Sequence, residues 1–270
     1  MIVARRRFRI EPYIEFVKKA IAREATYRFD VFTGLGSFVV RVYLLRTVWT
    51  ALYARNAAPA NLPLHTIITY STIALLMALV LDIDQTRSLY ERLHDGSIAS
   101  DFMKPIFVPL YFFADGTGEV LFHVALMVPA LGLALVFVHI DVPSFGTLAA
   151  FGVSFVLGYF VGFFINFILN ATAFWTLEVS AARMIVTWLG DLLGGEIVPL
   201  GLFPGFLQQT VYALPFAAMY STPLLVYVGV IPPARYAAAM GVQLLWVLVL
   251  AALSAAIWRA GARRIVVQGG

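Results

Sequence analysis

Residues 194–206, GGEIVPLGLFPGF, place four glycines, two prolines and one carboxylate inside a strongly apolar chain. The apolar character does not end there. From Phe203 to Arg235 it continues, punctuated by Pro204, Pro215, Pro223, Pro232 and Pro233. In lipid, non-helical backbone survives only where protein or a water-filled cavity satisfies its peptide groups. A crossing that ends near Pro199, followed by short helices dipping back into the outer leaflet, fits this pattern, and residues 194–236 form such an outer re-entrant region. On that reading Pro199, Phe203, Pro204, Pro215 and Phe216 make an outer gate. An amphipathic outer loop is the alternative.

Composition supports a membrane setting for the whole chain. Of 270 residues 61% are hydrophobic and 13% charged, and the mean hydropathy is +0.87. Soluble domains run nearer half apolar and a quarter charged. Apolar runs of about 20 residues recur throughout, as a hydrocarbon core roughly 30 Å thick requires, and residues 1–270 are read as one transmembrane unit. Cysteine is absent and only four histidines occur, which argues against a disulfide framework or a structural zinc site. The opening MIVARRRFRI is basic but is not followed by the apolar core of a signal peptide, so it is expected at the cytoplasmic face. The net charge of +4 reflects arginines beside the spans, which are orientation signals rather than a nucleic-acid surface.

Residues 11–28 read as an amphipathic helix on the inner membrane surface. Ile14, Val17, Ile21 and Ala25 share its apolar face, and Lys19 and Arg23 lie opposite. Spans are expected at about 31–53, 64–81, 107–139, 145–167, 181–199 and 237–258. The longest polar stretch, DIDQTRSLYERLHDGSIASDFMKP, begins at Asp82 and reads as two short helices around the Asp95-Gly96 turn, closing at Pro105. Lys and Arg concentrate in the N-terminal segment, this loop and the tail. The positive-inside rule therefore puts both termini in the cytoplasm and makes the span count even, at six. No internal repeat supports an inverted-repeat transporter.

Some charges fall at membrane depth. Arg41 and Arg46 lie within the first span, Asp191 at comparable depth in the fifth, and Glu196 nearer the outer face. Such groups cost roughly 2.5–3.5 kcal/mol on insertion scales and are normally paired or turned to a cavity. An arginine of the first span is expected to meet Asp191, either as a structural pair or beside a substrate path. Five residues apart, Arg41 and Arg46 differ by about 140° around the helix and cannot both serve one partner. Glu119 and His123, one turn apart, read as a polar pair rather than a proton relay.

GGEIVPLGLFPGFLQQTVYALPFAAMYSTPLLVYVG, HDGSIASDFMKP, FWTLEVSAARM and the ending RRIVVQGG together resemble the six-span permeases of type-2 ABC exporters, and more narrowly the small viologen-exporter-like permeases. The resemblance spans nearly the whole chain. It implies an all-α permease that pairs with a second copy or a paralogue and binds two cytoplasmic ABC ATPase subunits, which carry the ATP and magnesium. The chain itself has no G-x-x-x-x-G-K-[ST] loop; its lysines are Lys18, Lys19 and Lys104, none after a glycine-rich turn. The resemblance makes residues 82–105 the coupling loop. In it Leu89, Leu93, Ile98, Phe102 and Met103 are expected as knobs for an ATPase groove, Gly96 as the turn, and Arg92 and Lys104 as rim charges. A solvated loop without a partner is the alternative. Phe-Met-Lys-Pro stands where the family more often has Leu-Leu-Arg-Pro, so a bidentate donor is lost. The expected activity is export of an amphipathic or hydrophobic compound such as a drug, antibiotic, lipid or organic cation across the bacterial plasma membrane. An ion-coupled secondary transporter using the buried charges is the competing reading. No catalytic or metal-ligand constellation is read, and no nucleophile motif favours a membrane enzyme.

Overall fold

The computed structural model describes residues 10–55, 62–176 and 178–268. The basic segment 1–9 and most of the connection between the first two spans lie outside the described residues. Among those described the chain is all helical, as expected of a membrane protein whose backbone must satisfy itself. The long helices are α2 (Arg28–Ala54), α3 (Leu64–Leu81), α6 (Val108–Phe137), α7 (Phe145–Ala171) and α12 (Tyr236–Gln268). Among the described residues, five helical segments are long and apolar enough to cross a membrane. Around them lie α1 (Glu11–Thr26), α4 (Arg87–His94), α5 (Ile98–Met103), α8 (Ser180–Gly194), α9 (Gly205–Tyr212), α10 (Pro215–Met219) and α11 (Ser221–Tyr227).

The crossing expected at 181–199 is represented by α8, whose 15 residues span only about 22 Å. It stops because Gly195 takes φ +89°, a left-handed geometry that glycine enters without a Cβ penalty. The chain then runs through Pro199, a short 3-10 turn and α9, which share with α10 a small core of Leu200, Val211 and Ala217. Pro199 is buried in this module, Phe203, Pro215 and Phe216 are half-buried, and Pro204 is exposed.

Helix α3 is the hub. Ile67, Tyr70, Met77 and Val80 are at most 1% exposed, which is why its apolar residues run all round rather than on one stripe. Packing of α10 and α11 on α7 depends on missing side chains. A Cβ at Gly158 would stand 2.6 Å from the Met219 carbonyl oxygen, and one at Gly162 would stand 3.0 Å from the Met219 methyl. Gly158 and Gly162 thus form a G-x-x-x-G pair, the spacing that lets membrane helices approach backbone to backbone. The α10–α11 rod breaks at Tyr220, where φ is −110° and ψ −56°. A carbonyl beside the break, that of Ala218, accepts a 2.8 Å hydrogen bond from Gln243 Nε2 of α12. The same amide nitrogen donates to the Ser154 carbonyl at 2.9 Å, and Gln243 Oε1 accepts from the Ser154 hydroxyl at 2.8 Å. One buried glutamine thereby joins α7, α10 and α12.

Helix α1 follows the expected range and is held to the bundle through Phe16 and Ala20. Ile14 is 49% exposed, whereas Ala20 is fully buried and Phe16 stacks edge-on against Tyr111 at 4.7 Å. It packs on the first turns of α6. Gly118 permits this, because a Cβ there would lie 2.4 Å from the Val17 carbonyl oxygen and 2.6 Å from Ala20 Cβ. An ion pair from Arg23 to Asp115 at 3.2 Å and a bond from the Phe107 N–H to the Tyr13 hydroxyl at 2.8 Å complete the seam. Because a backbone oxygen cannot swing away, Gly118→Ala is expected to cost about 1–3 kcal/mol. A cysteine placed at Ala20 should then label with maleimide roughly tenfold faster or more, as expected for a loss of about 1.4 kcal/mol; an unchanged rate would show that the seam is not needed.

Candidate functional site

The polar loop builds the first part of the site. As expected, α4 and α5 flank a turn at Gly96, whose φ of +77° and open surroundings leave it at the exposed tip. The Ser97 N–H donates to Asp95 Oδ1 at 2.8 Å and fixes that turn. Two of the expected knobs require correction. Leu89 is 0% and Ile98 3% exposed, so both pack into the chain's own core and present nothing to a partner. The loop is amphipathic and uses that face to hold its helices to the bundle. Leu93 is half-buried, while Phe102 is 39% and Met103 82% exposed. Phe102 also stacks on Trp258 of α12, with ring centroids 5.8 Å apart.

The two rim charges turn inward onto a residue that sequence reasoning did not single out. Asp101 is 1% exposed and accepts from Arg92 Nη1 at 2.8 Å and from Lys104 Nζ at 2.6 Å. Arg92 Nη2 also donates to the Tyr111 hydroxyl at 2.9 Å. A buried carboxylate with two cations is the arrangement that avoids an uncompensated charge. Arg92 and Lys104 therefore lock α4, α5 and α6 together. The spacing of Arg92, Asp101 and Lys104 contains no periodicity that would have revealed this.

Nearby, Asp84 joins α3 to α7 and α8. It pairs with Arg183 Nε at 3.1 Å and accepts from Asn170 Nδ2 at 2.7 Å, and Arg183 Nη2 donates to Asn170 Oδ1 at 2.8 Å. Burial pushes the Asp84 carboxyl above its ordinary pKa, against the opposing pull of Arg183 and Asn170.

A second assembly is only partly enclosed: Asp82 is exposed, Asp191 half-buried and Glu196 buried. Oxygen atoms of Asp82, Asp191 and Glu196 lie within 4.8 Å of one another. Each comes from a different element: the end of α3, the last turn of α8, and the loop after Gly195. The Tyr70 hydroxyl donates to the Gly195 carbonyl at 2.7 Å and so fixes that loop. The Tyr220 hydroxyl, at the α10–α11 break, donates to Asp82 Oδ1. Glu196 is 7% exposed, and its Oε2 has no hydrogen-bond partner among the described residues. Phe216, expected at an outer gate, lines a small cavity with Asp82 and Asp191. Three carboxylate oxygens so placed are a donor set suited to a cation.

Arg41 is the cation in electrostatic reach of all three carboxylates. It lines a cavity of about 290 Å³ with Asp82, between α2 and α3. Among the described residues it forms no ion pair within 4.0 Å, so the arginine expected to meet Asp191 faces the cluster without closing on it. Arg46 is exposed on another side of α2. Gly34 and Leu79 border both this cavity and a larger one of about 490 Å³ at the loop end. The larger cavity is lined by Glu24, Asp30, Asp84, Glu91, Asp115 and Glu119, with Arg23 and Arg87 as the opposing arginines. His123 lines it too, but its Nδ1 bonds the Glu119 backbone carbonyl at 3.0 Å and not the Glu119 carboxylate.

Sequence reasoning misses Asp82 and Tyr220. Asp82 merely begins a polar stretch, and Tyr220 is one of twelve tyrosines. The available signal is the G-x-x-x-G of α7, which announces a close backbone contact at this depth.

An all-α bundle with five membrane-length helices and a carboxylate cluster beside its cavities defines a polytopic integral membrane protein. The model of the ABC-2 family transporter protein matches residues 61–269, and the chain belongs to that family. It is accordingly the membrane component, the permease, of an ABC transporter. No curated protein matches the chain.

Proposed function

We propose that this permease is the transmembrane half of an ATP-driven exporter and forms the path for an amphipathic or hydrophobic compound bearing positive charge, an organic cation. The observation that carries this reading is the pair of adjoining cavities that run from the loop end to Asp82, whose carboxylate lies with those of Asp191 and Glu196, and in which carboxylates outnumber arginines. A low-dielectric wall strengthens the attraction of such a surface for a cation. Two cytoplasmic ATPase subunits, loaded with ATP and magnesium, dock on the loop at residues 82–105, and their closure drives alternating access. A second permease copy or a paralogue completes the pathway, in a plasma membrane with both termini on the ATPase side. The narrower likeness to viologen exporters agrees with a cationic cargo.

The reading is tested by pull-down from native membranes with mass spectrometry of the retained proteins. Recovery of a P-loop ATPase is expected. Phe102→Asp with Met103→Asp should weaken that association by about 2 kcal/mol or more, the scale of exposed apolar anchors, while the permease itself stays folded. A permease that purifies alone and moves solute down an ion gradient would overturn the proposal.

A further inference from the structure

A separate groove lies at the loop end of the bundle, away from the carboxylate centre. It encloses about 680 Å³ between α6, α7 and α12. One wall is aromatic, with Phe113, Phe163, Phe164 and Phe167. The other is a single face of α12, where Ala251, Ser254, Ala255, Trp258, Arg259, Ala262 and Arg263 recur at helical spacing. Small residues on that face leave the space open. Arg259 and Arg263, one turn apart at one end of the face, are exposed and have no ion-pair or hydrogen-bond partner among the described residues. Ser254 is 4% exposed, borders the groove, and its hydroxyl has no partner among the described residues.

Length and charge select an occupant. From Ala251 to Arg263 the face rises about 18 Å, close to one leaflet, or half of a hydrocarbon core roughly 30 Å thick. The apolar part suits an acyl chain lying parallel to α12, and the two guanidinium groups sit where a head group would emerge. Planar arginines match phosphate oxygens bidentately. We infer that this groove is a binding site for an anionic phospholipid of the leaflet on the coupling-loop side, its phosphate held by Arg259 and Arg263 and one chain seated along Ala251, Ala255 and Trp258. Trp258 stacks on Phe102 of α5, so the bound chain backs the helix that carries the exposed coupling residues.

The probes are dioleoyl phosphatidylglycerol and dioleoyl phosphatidylcholine, titrated against the full-length permease in detergent and read by native mass spectrometry. At about fivefold per arginine near a membrane surface, the anionic lipid should be retained roughly 25-fold better. Arg259→Gln with Arg263→Gln should equalise the two lipids, Arg264→Gln should leave the preference intact, and Ala255→Trp should expel both. Wild-type protein supplies an independent reading: phosphatidylglycerol with brominated chains should quench tryptophan fluorescence more than brominated phosphatidylcholine, and Trp258→Phe should remove the difference. Equal retention of the two lipids, a preference that survives the double substitution, or quenching indifferent to Trp258 would overturn the assignment. So would loss of lipid when the ATPase partner binds, since the groove would then be a protein-docking face.

Discussion

Gln243→Leu is expected to be among the most destabilising single substitutions in the molecule. Gln243 is 0% exposed and makes three hydrogen bonds, two to Ser154 and one to the Ala218 carbonyl beside the Tyr220 break. Leucine keeps the volume and apolar character but leaves that carbonyl without its donor where no water can replace it. Orphaning a buried polar group costs about 1–3 kcal/mol. The lost interhelical bonds to Ser154 add about 0.6 kcal/mol each, the mean found between membrane helices. The combined loss is about 2–4 kcal/mol. Thermal unfolding of the purified permease in detergent should show a clearly lowered midpoint for Gln243→Leu and an unchanged one for Leu244→Ala, which removes a neighbouring side chain that is 48% exposed. Equal midpoints would mean that the broken rod is held by shape alone.

The second large effect concerns transport. Asp191→Asn together with Glu196→Gln removes two of the three carboxylates of the cluster and leaves Arg41 facing Asp82 alone. For a cationic substrate this should lower transport at least tenfold, equivalent to about 1.4 kcal/mol of lost attraction, with ATPase assembly unchanged. Reconstituted vesicles and two compounds with the same apolar body, one quaternary ammonium and one neutral, separate the outcomes. Selective loss of the ammonium compound supports recognition of charge by the cluster. Equal loss of both would mean that the carboxylates only shape the bundle. Arg41→Gln with Asp191→Asn removes one charge of each sign; a purely structural pair tolerates that exchange, whereas a transport site does not.

Much of the architecture is legible in the sequence because membrane helices obey a length and polarity rule applied residue by residue. The spans at 64–81 and 145–167, the two short helices around Gly96 and the break after Gly194 can be placed this way. So can the absence of a phosphate-binding loop. The site is less legible. Leu89 and Ile98 have the same apolar chemistry as Phe102 and Met103, and nothing in their spacing tells which pair faces the bundle. Arg92 and Lys104 look like free surface charges until Asp101 is placed between them. Phe216 lies in a proline-punctuated stretch that suggests an outer gate, and its place beside Asp191 follows from the packing of α10 against α8.

The sequence by itself determined that this is an all-α membrane protein, roughly where its long helices begin and end, and where its helical path is interrupted, because hydropathy, proline and glycine act locally along the chain. Only the tertiary structure decided which polar groups meet. Asp82 is brought to Asp191 and Glu196 from a distant part of the chain, and Gln243 reaches Ala218 across 25 residues. Such meetings depend on helix rotation and tilt, which are set by side-chain packing at contacts like Gly158 on Met219 and Gly118 on Val17, and no local property of the chain encodes them.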